Sequence, residues 1–322
     1  MAKPKILITR GWPAECEARA ARDYDATLNA DDAPLDTDQM RAALADYDAV
    51  CPTVTDALPA DLFEGSPRAW IIGNFGVGYN HIDVAAAKAA GIAVSNTPGV
   101  LTDCTADIAL TLMLMIARRA GEGERMVRAG AWHGWTPTQL IGTKLSGKTL
   151  GIVGMGRIGI ATARRAQHGF GMKVVYYNRS EVAAERLQGL DATRLPSIDA
   201  VCEAADMVSL HLPGGGENSG MIDAARLDLI GPEGFLINTA RGDVVDEAAL
   251  TAALEAGRIR GAGLDVFAKE PHVPDALRHL DNVVLLPHLG SATAETRAAM
   301  GHMVLDNLDA FFAGKPLPNP VG

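Results

Sequence analysis

Several classes are excluded by what this chain lacks. Its four cysteines, Cys16, Cys51, Cys104 and Cys202, are widely spaced and form no C-x-x-C pair. Reduced, packed thiols in a cytoplasmic protein are therefore expected. There is no Lys/Arg-rich run, and the formal net charge is −10, which argues against a nucleic-acid partner. The longest apolar run, Ile108–Ala117, is closed off by Asp107 and Arg118; it is too short to span a bilayer, so no membrane partner is expected. Met1–Lys5 leads directly into a strand pattern without the apolar core of a signal peptide. The eight histidines are scattered, with no H-E-x-x-H and no paired Cys/His spacing, so no metal is expected. No G-x-S-x-G is present, which excludes a serine-hydrolase elbow.

What is present is alternation. The length of 322 residues and a hydrophobic content of 48% suit about two domains with sizeable cores. Apolar runs at 5–9, 49–54, 69–73 and 92–95 read as strands, separated by helical patterns near 14–22, 37–45 and 83–90. A second series reads as strands at 150–153, 173–177, 207–210, 235–238, 263–266 and 283–286. Such βαβ alternation predicts an α/β protein with two Rossmann-like or flavodoxin-like doubly wound parallel sheets. One long helix is expected from Thr102 to about Gly130, and a final one over about 292–313. Gly214-Gly215-Gly216 reads as a loose loop. Trp132 and Trp135 lie close together in an irregular stretch, which suggests a partner subunit or a substrate edge.

The segment 148–153 is an apolar strand running into Gly154-Met155-Gly156-Arg157-Ile158-Gly159, with a helix after it. In that setting G-x-G-x-x-G is a dinucleotide turn. Its glycines provide a tight turn, close approach to a pyrophosphate, and helix–strand packing, while the helix N-terminus offers N–H groups to phosphates. An acid is expected at the end of the next strand to hold the adenosine ribose. Asn178-Arg179-Ser180 stands there instead. Arg179 is suited to a 2′-phosphate, with Ser180 and Asn178 as added donors, so NADP(H) is expected over NAD(H).

Three further segments each carry one chemically useful residue just past a strand: Arg241, Glu270 and His288. Ligands of open α/β sheets bind outside the carboxyl ends of strands. Together the three residues suit carbonyl reduction. Arg241 would hold a carboxylate and polarise the neighbouring carbonyl. His288 would donate a proton as hydride arrives. Glu270 would fix the His288 tautomer and favour its protonated form. In the first domain, the Gly-rich loop 73–78 offers a seat for a small anion at Val77 and Gly78.

Taken together, the segments 74–83, 147–159, 237–243, 263–271 and 287–293 resemble the D-isomer-specific 2-hydroxyacid dehydrogenase family over nearly the whole chain. The stretches 74–81, 132–135 and 178–180 are similar to its glyoxylate/hydroxypyruvate reductase branch. The resemblance implies Arg241, Glu270 and His288 as catalytic residues. It implies substrate contacts from the Val77 and Gly78 backbone, and cofactor contacts from Thr105, Leu212, Pro213, Thr239, Ala240, Asp265 and Gly290. It also implies a homodimer in which Trp132 or Trp135, with Trp135 preferred, reaches the partner's active site. Domains of 1–98 with 289–322, and 99–288, are expected around an active-site cleft. The chain departs from a Pro-x-Thr-x-x-Thr pattern common among relatives, reading Pro213-Gly214-Gly215-Gly216-Glu217-Asn218. Rival expectations are a 3-phosphoglycerate dehydrogenase, an enzyme for bulkier 2-oxo acids, and a nucleotide-sensing corepressor on the same fold. Formate dehydrogenase relatives carry Gln where Glu270 stands.

Overall fold

The computed structural model describes residues 2–65 and 67–322. The chain divides into two compact units. One runs to Leu101 and resumes at Ala292–Gly322; the other is the continuous stretch Thr102–Ser291.

The first unit holds β1 (Lys5–Ile8), β2 (Asp25–Leu28), β3 (Ala49–Cys51), β4 (Ile71–Gly73) and β5 (Ala93–Ser95). They form an all-parallel sheet in the order β2-β1-β3-β4-β5. The strand β2 is absent from the expected set because it is a half-exposed edge with no apolar run. The β3 and β4 backbones are fully covered, as parallel sheets require. The helix Ala294–Phe312 lies on this sheet. Its Val304 leaves room only for glycine at position 73, where a Cβ would sit 2.7 Å from Cγ1. Ile6, Ile8 and Cys16 share one core with Met300, Val304, Leu305 and Leu308. Val321 N–H then donates to Val94 O on the β5 edge, at 2.8 Å.

The second unit holds β6 (Thr149–Val153), β7 (Lys173–Tyr177), β8 (Ala192–Arg194), β9 (Met207–Leu210), β10 (Phe235–Asn238), β11 (Gly261–Leu264) and β12 (Val283–Leu285). Their order is β12-β11-β10-β9-β6-β7-β8, again parallel throughout. The winding reverses between β6 and β9, so their carboxyl ends flank the switch point at which ligands bind doubly wound sheets. The short edge strand β8 is mostly exposed and leaves no apolar signature.

Two expectations are corrected. The long helix is two helices, Thr102–Ala117 and Ala120–Arg128, broken at Arg119, whose φ is 54°. A later loop takes the carbonyl that the next helical turn would use: Thr143 N–H donates to Ala117 O at 2.7 Å. The triglycine loop is not loose. Gly215 N–H donates to Asp243 Oδ2 at 2.6 Å, and Gly216–Asn218 forms a 3₁₀ turn. The compact units meet after Leu101 and after Ser291. The first boundary coincides with the start of the helix at Thr102. At the second, Leu289 and Gly290 are hydrogen-bonded into the continuous unit through Asp265.

Candidate active site

The glycine turn after β6 divides its labour as the pattern predicts. Gly154 has φ 98°, and a Cβ there would lie 2.5 Å from His211 O. A Cβ on Gly159 would meet Gly154 O at 2.3 Å, so this glycine closes the helix onto the turn. Nothing lies within 4 Å of the corresponding position at Gly156. The turn is open there, and Gly156 caps the helix Arg157–Phe170 with no side-chain bond. Uncapped N–H groups and open space together form a seat for a pyrophosphate. Thr239 Oγ1, buried past the end of β10, has no hydrogen-bond partner among the described residues. That is a further polar group left for a bound molecule. The residues present therefore fit a dinucleotide.

At the end of β7, Asn178 turns inward. Its Oδ1 accepts from Met155 N–H at 3.0 Å, and its Nδ2 donates to Ser180 O at 2.9 Å. The amide braces the glycine turn, so its donor is already committed. Arg179 points outward, 82% exposed, and pairs with Glu217. Leu212 is half-buried and Pro213 exposed past the end of β9, on the other side of the turn.

The acid–base group is built on β10, β11 and β12. Asn238 ends β10 and folds the chain back. Its Oδ1 accepts from Ala240 N–H at 3.0 Å, and its Nδ2 donates to Arg241 O at 2.9 Å. Arg241 Nη1 in turn donates to Ala240 O at 2.7 Å. Burial pulls the Arg241 guanidinium below its ordinary value, against the charges of Glu270 and Asp243. The Arg241 loop rests directly on the Glu270 loop, because a Cβ on Gly242 would lie 1.9 Å from the Phe267 carbonyl carbon.

His288 Nδ1 meets Glu270 Oε2 at 2.8 Å. A carboxylate only accepts, so Nδ1 carries the proton and Nε2 is left for chemistry. Glu270 Oε1 accepts from Phe267 N–H at 3.1 Å. Burial pushes the Glu270 carboxyl up, but His288, the Phe267 N–H and Arg241 outweigh it and hold it below the ordinary 4.5. His288 itself has φ 57°, a strained conformation for a side chain of this size. Asp265 holds it there. Its backbone O accepts from His288 N–H at 3.0 Å, and its two carboxyl oxygens accept from Leu289 N–H at 2.6 Å and Gly290 N–H at 2.8 Å. Burial raises the Asp265 carboxyl against these bonds. Thr105 Oγ1 donates to Gly290 O at 2.9 Å and completes the clamp.

In the first unit, the loop after β4 presents amides outward. Asn74, fully buried, donates from Nδ2 to Gly76 O and Gly78 O, each at 3.0 Å. Asn96 Nδ2 donates to Val77 O at 2.8 Å. With these carbonyls held inward, the N–H groups of Val77 and Gly78 make no backbone bond among the described residues. Neither Gly76 nor Gly78 has a positive φ. Glycine at 76 answers a close approach instead, since a Cβ would meet Val54 Cγ1 at 2.7 Å.

Asn74, Asn96, Asn238, Asp243 and Glu217 were not in the expected set. For Asn238, the usable signal was an Asn ending a strand before an irregular segment. Among the described residues, no group of three or more His, Cys, Asp or Glu is placed to hold a metal. No helix of the described residues is long and apolar enough to cross a membrane. Trp132 and Trp135 are both exposed, Trp135 at 79%.

A profile described as the D-isomer specific 2-hydroxyacid dehydrogenase, NAD binding domain, matches residues 110–290. The chain is 44% identical to a glyoxylate reductase of Thermococcus litoralis, over 99% of this chain and 97% of that protein. It is 40% identical to a glycerate dehydrogenase of Hyphomicrobium methylovorum, over 98% of each. Its fold is similar to the crystal structure of an NADPH-dependent glyoxylate/hydroxypyruvate reductase from Sinorhizobium meliloti in complex with NADP and malonate. There the TM-score is 0.86 at 38% identity, covering 100% of this chain and 97% of that one.

Proposed function

Since this chain belongs to the D-isomer-specific 2-hydroxyacid dehydrogenase family, whose members reduce 2-oxo acids, we propose that it reduces glyoxylate to glycolate and hydroxypyruvate to D-glycerate, with NADPH preferred over NADH. The observation that carries the chemistry is the His288–Glu270 pair. Nδ1 is committed to a carboxylate at 2.8 Å, which orients Nε2 as the proton donor to a substrate carbonyl oxygen. Glu270 stays ionised in support and stabilises the imidazolium before its proton is given up. Arg241 takes the substrate carboxylate and polarises the adjacent carbonyl. In the first unit, the amides of Val77 and Gly78 offer a seat for a small anion.

A nicotinamide dinucleotide held at the glycine turn would supply the hydride. The pyrophosphate falls to the turn Gly154–Gly159, with Met155, Arg157 and Ile158 contributing backbone. Arg179 and Ser180 take the 2′-phosphate, and Asn178 braces the turn behind them. Thr105, Leu212, Pro213, Thr239, Ala240, Asp265 and Gly290 line the remainder. Support for NADPH comes from Asn178 standing where an NAD site carries an acid, with Arg179 next to it, and from the NADP-bound Sinorhizobium relative.

A homodimer is part of the same reading. The helix Ala120–Arg128 buries none of its residues, and Val127, Trp132, Trp135 and Ile141 are exposed around it. Trp135, the most exposed of these, is assigned to the partner's active site. Four free thiols, three of them buried, suit a reducing cytoplasm.

The test is a panel of 2-oxo acids assayed with NADPH and with NADH, with chiral analysis of the products. Glyoxylate and hydroxypyruvate should give the highest kcat/KM. Turnover of bulky 2-oxo acids alone would overturn the substrate assignment.

A further inference from the structure

The loops after β7 and β9 flank the glycine turn on its two sides, because β6 lies between those strands in the sheet. They are joined across it by an ion pair between Arg179 Nη1 and Glu217 Oε1. Glu217 belongs to the 3₁₀ turn Gly216–Asn218, which is held in place from below. Asp243 Oδ2 accepts from Gly215 N–H at 2.6 Å and from Ser219 Oγ at 3.1 Å, and Asn218 Nδ2 donates to Pro213 O at 3.0 Å. The carboxylate is therefore presented at the end of β7 by a fixed turn. That is the place where an acid is missing from β7 itself.

From this arrangement we infer that Glu217 is a specificity-determining residue that opposes the 2′-phosphate and so limits the discrimination between NADP and NAD. The inference rests on the reading of Arg179 as the phosphate-binding residue. A 2′-phosphate must take the guanidinium away from Glu217 before it can be held. A 2′-hydroxyl meets no such opposition, and a carboxylate at that place accepts its hydrogen bond as the usual β7 acid does. Both partners are well exposed, Arg179 at 82% and Glu217 at 69%. The pair is consequently weak and exchangeable, a bias on cofactor choice and not a block. A second cation remains nearby: Arg194, on β8, donates from Nη2 to Asn178 O at 3.1 Å.

The test is calorimetric titration of NADP+ and NAD+, without turnover, into the wild type, Glu217→Gln, Arg179→Ala and the double variant. Glu217→Gln should lower the Kd for NADP+ by about 3-fold, the scale of one exposed ion pair, and should not lower the Kd for NAD+. In the Arg179→Ala background the same substitution should change the ratio of the two Kd values by less than about 1.5-fold, because its partner is gone. An unchanged ratio in Glu217→Gln, or an equal gain with Arg179 absent, overturns the inference. The underlying reading fails separately. A wild type that does not favour NADP+, together with an unchanged ratio in Arg179→Ala, removes the NADPH preference and the inference with it; a wild type that favours NADP+ and loses that preference in Arg179→Ala, with an unchanged ratio in Glu217→Gln, overturns the inference alone.

Discussion

His288 sits in a left-handed backbone conformation that a beta-carbon makes costly, at φ 57°. Three hydrogen bonds from the His288–Gly290 backbone to Asp265 offset that cost, so the strain is absorbed at the residue proposed as the proton donor. His288→Asn keeps the backbone tolerance, since Asn accepts this region readily, but removes the acid. It should lower kcat for hydroxypyruvate by about 10²- to 10⁴-fold while the Kd for the dinucleotide, read by titration, stays within about 2-fold. Glu270 carries a pH signature. Its carboxyl titrates below 4.5 in the folded chain, so its contribution to stability is complete above about pH 4.5 and is lost as pH falls through the lower folded value. Glu270→Gln should thus cost on the order of 1 kcal/mol at neutral pH, in chemical denaturation, and nothing once the pH is well below that window. Arg179→Ala should lower kcat/KM for NADPH by about 10-fold with little change for NADH, as expected for one charge-assisted phosphate contact.

At the scale of elements, the acid–base loops are set by backbone contact as much as by side chains. Gly242 lets the Arg241 loop lie on Phe267 with no room for a methyl group. Gly242→Ala should lower kcat/KM by at least about 10-fold and the melting temperature by about 5 °C, measured by steady-state kinetics and calorimetry. This contact also marks the limit of what could be read from the chain. Strands with long apolar runs, such as β6 and β10, and the dinucleotide turn declared themselves, because burial on both faces and three differently used glycines leave direct traces in composition. The edge strands β2 and β8 did not, being short and half-exposed. Nor did the break at Arg119, because the Thr143 N–H that takes Ala117 O arrives from 26 positions further along. The placement of Arg241, Glu270 and His288, each past a strand end, was legible in the chain. The contacts that hold these loops, from Asn238 and from Asp265 with its twin backbone bonds, depend on loop geometry that no periodicity encodes.

For the molecule as a whole, the exposed set Val127, Trp132, Trp135 and Ile141 predicts self-association. Trp135→Glu should shift sedimentation toward the monomer, with the larger effect at low protein concentration. The discontinuity of the first unit has a different consequence, for the order in which the protein comes into being. Cys16 packs against Gly301 so tightly that a Cβ there would lie 2.6 Å from its Sγ, and Val304 fills the groove over Gly73. During synthesis, β1–β5 emerge with that face of the sheet bare and must wait while all of Thr102–Ser291 is made. The uninterrupted unit, needing nothing from outside its own span for its sheet, is free to fold first. The interval is one in which a parallel sheet lacks its covering helix, and a ribosome-bound nascent chain halted before residue 292 should expose the β1–β5 region to protease while the Thr102–Ser291 span resists it.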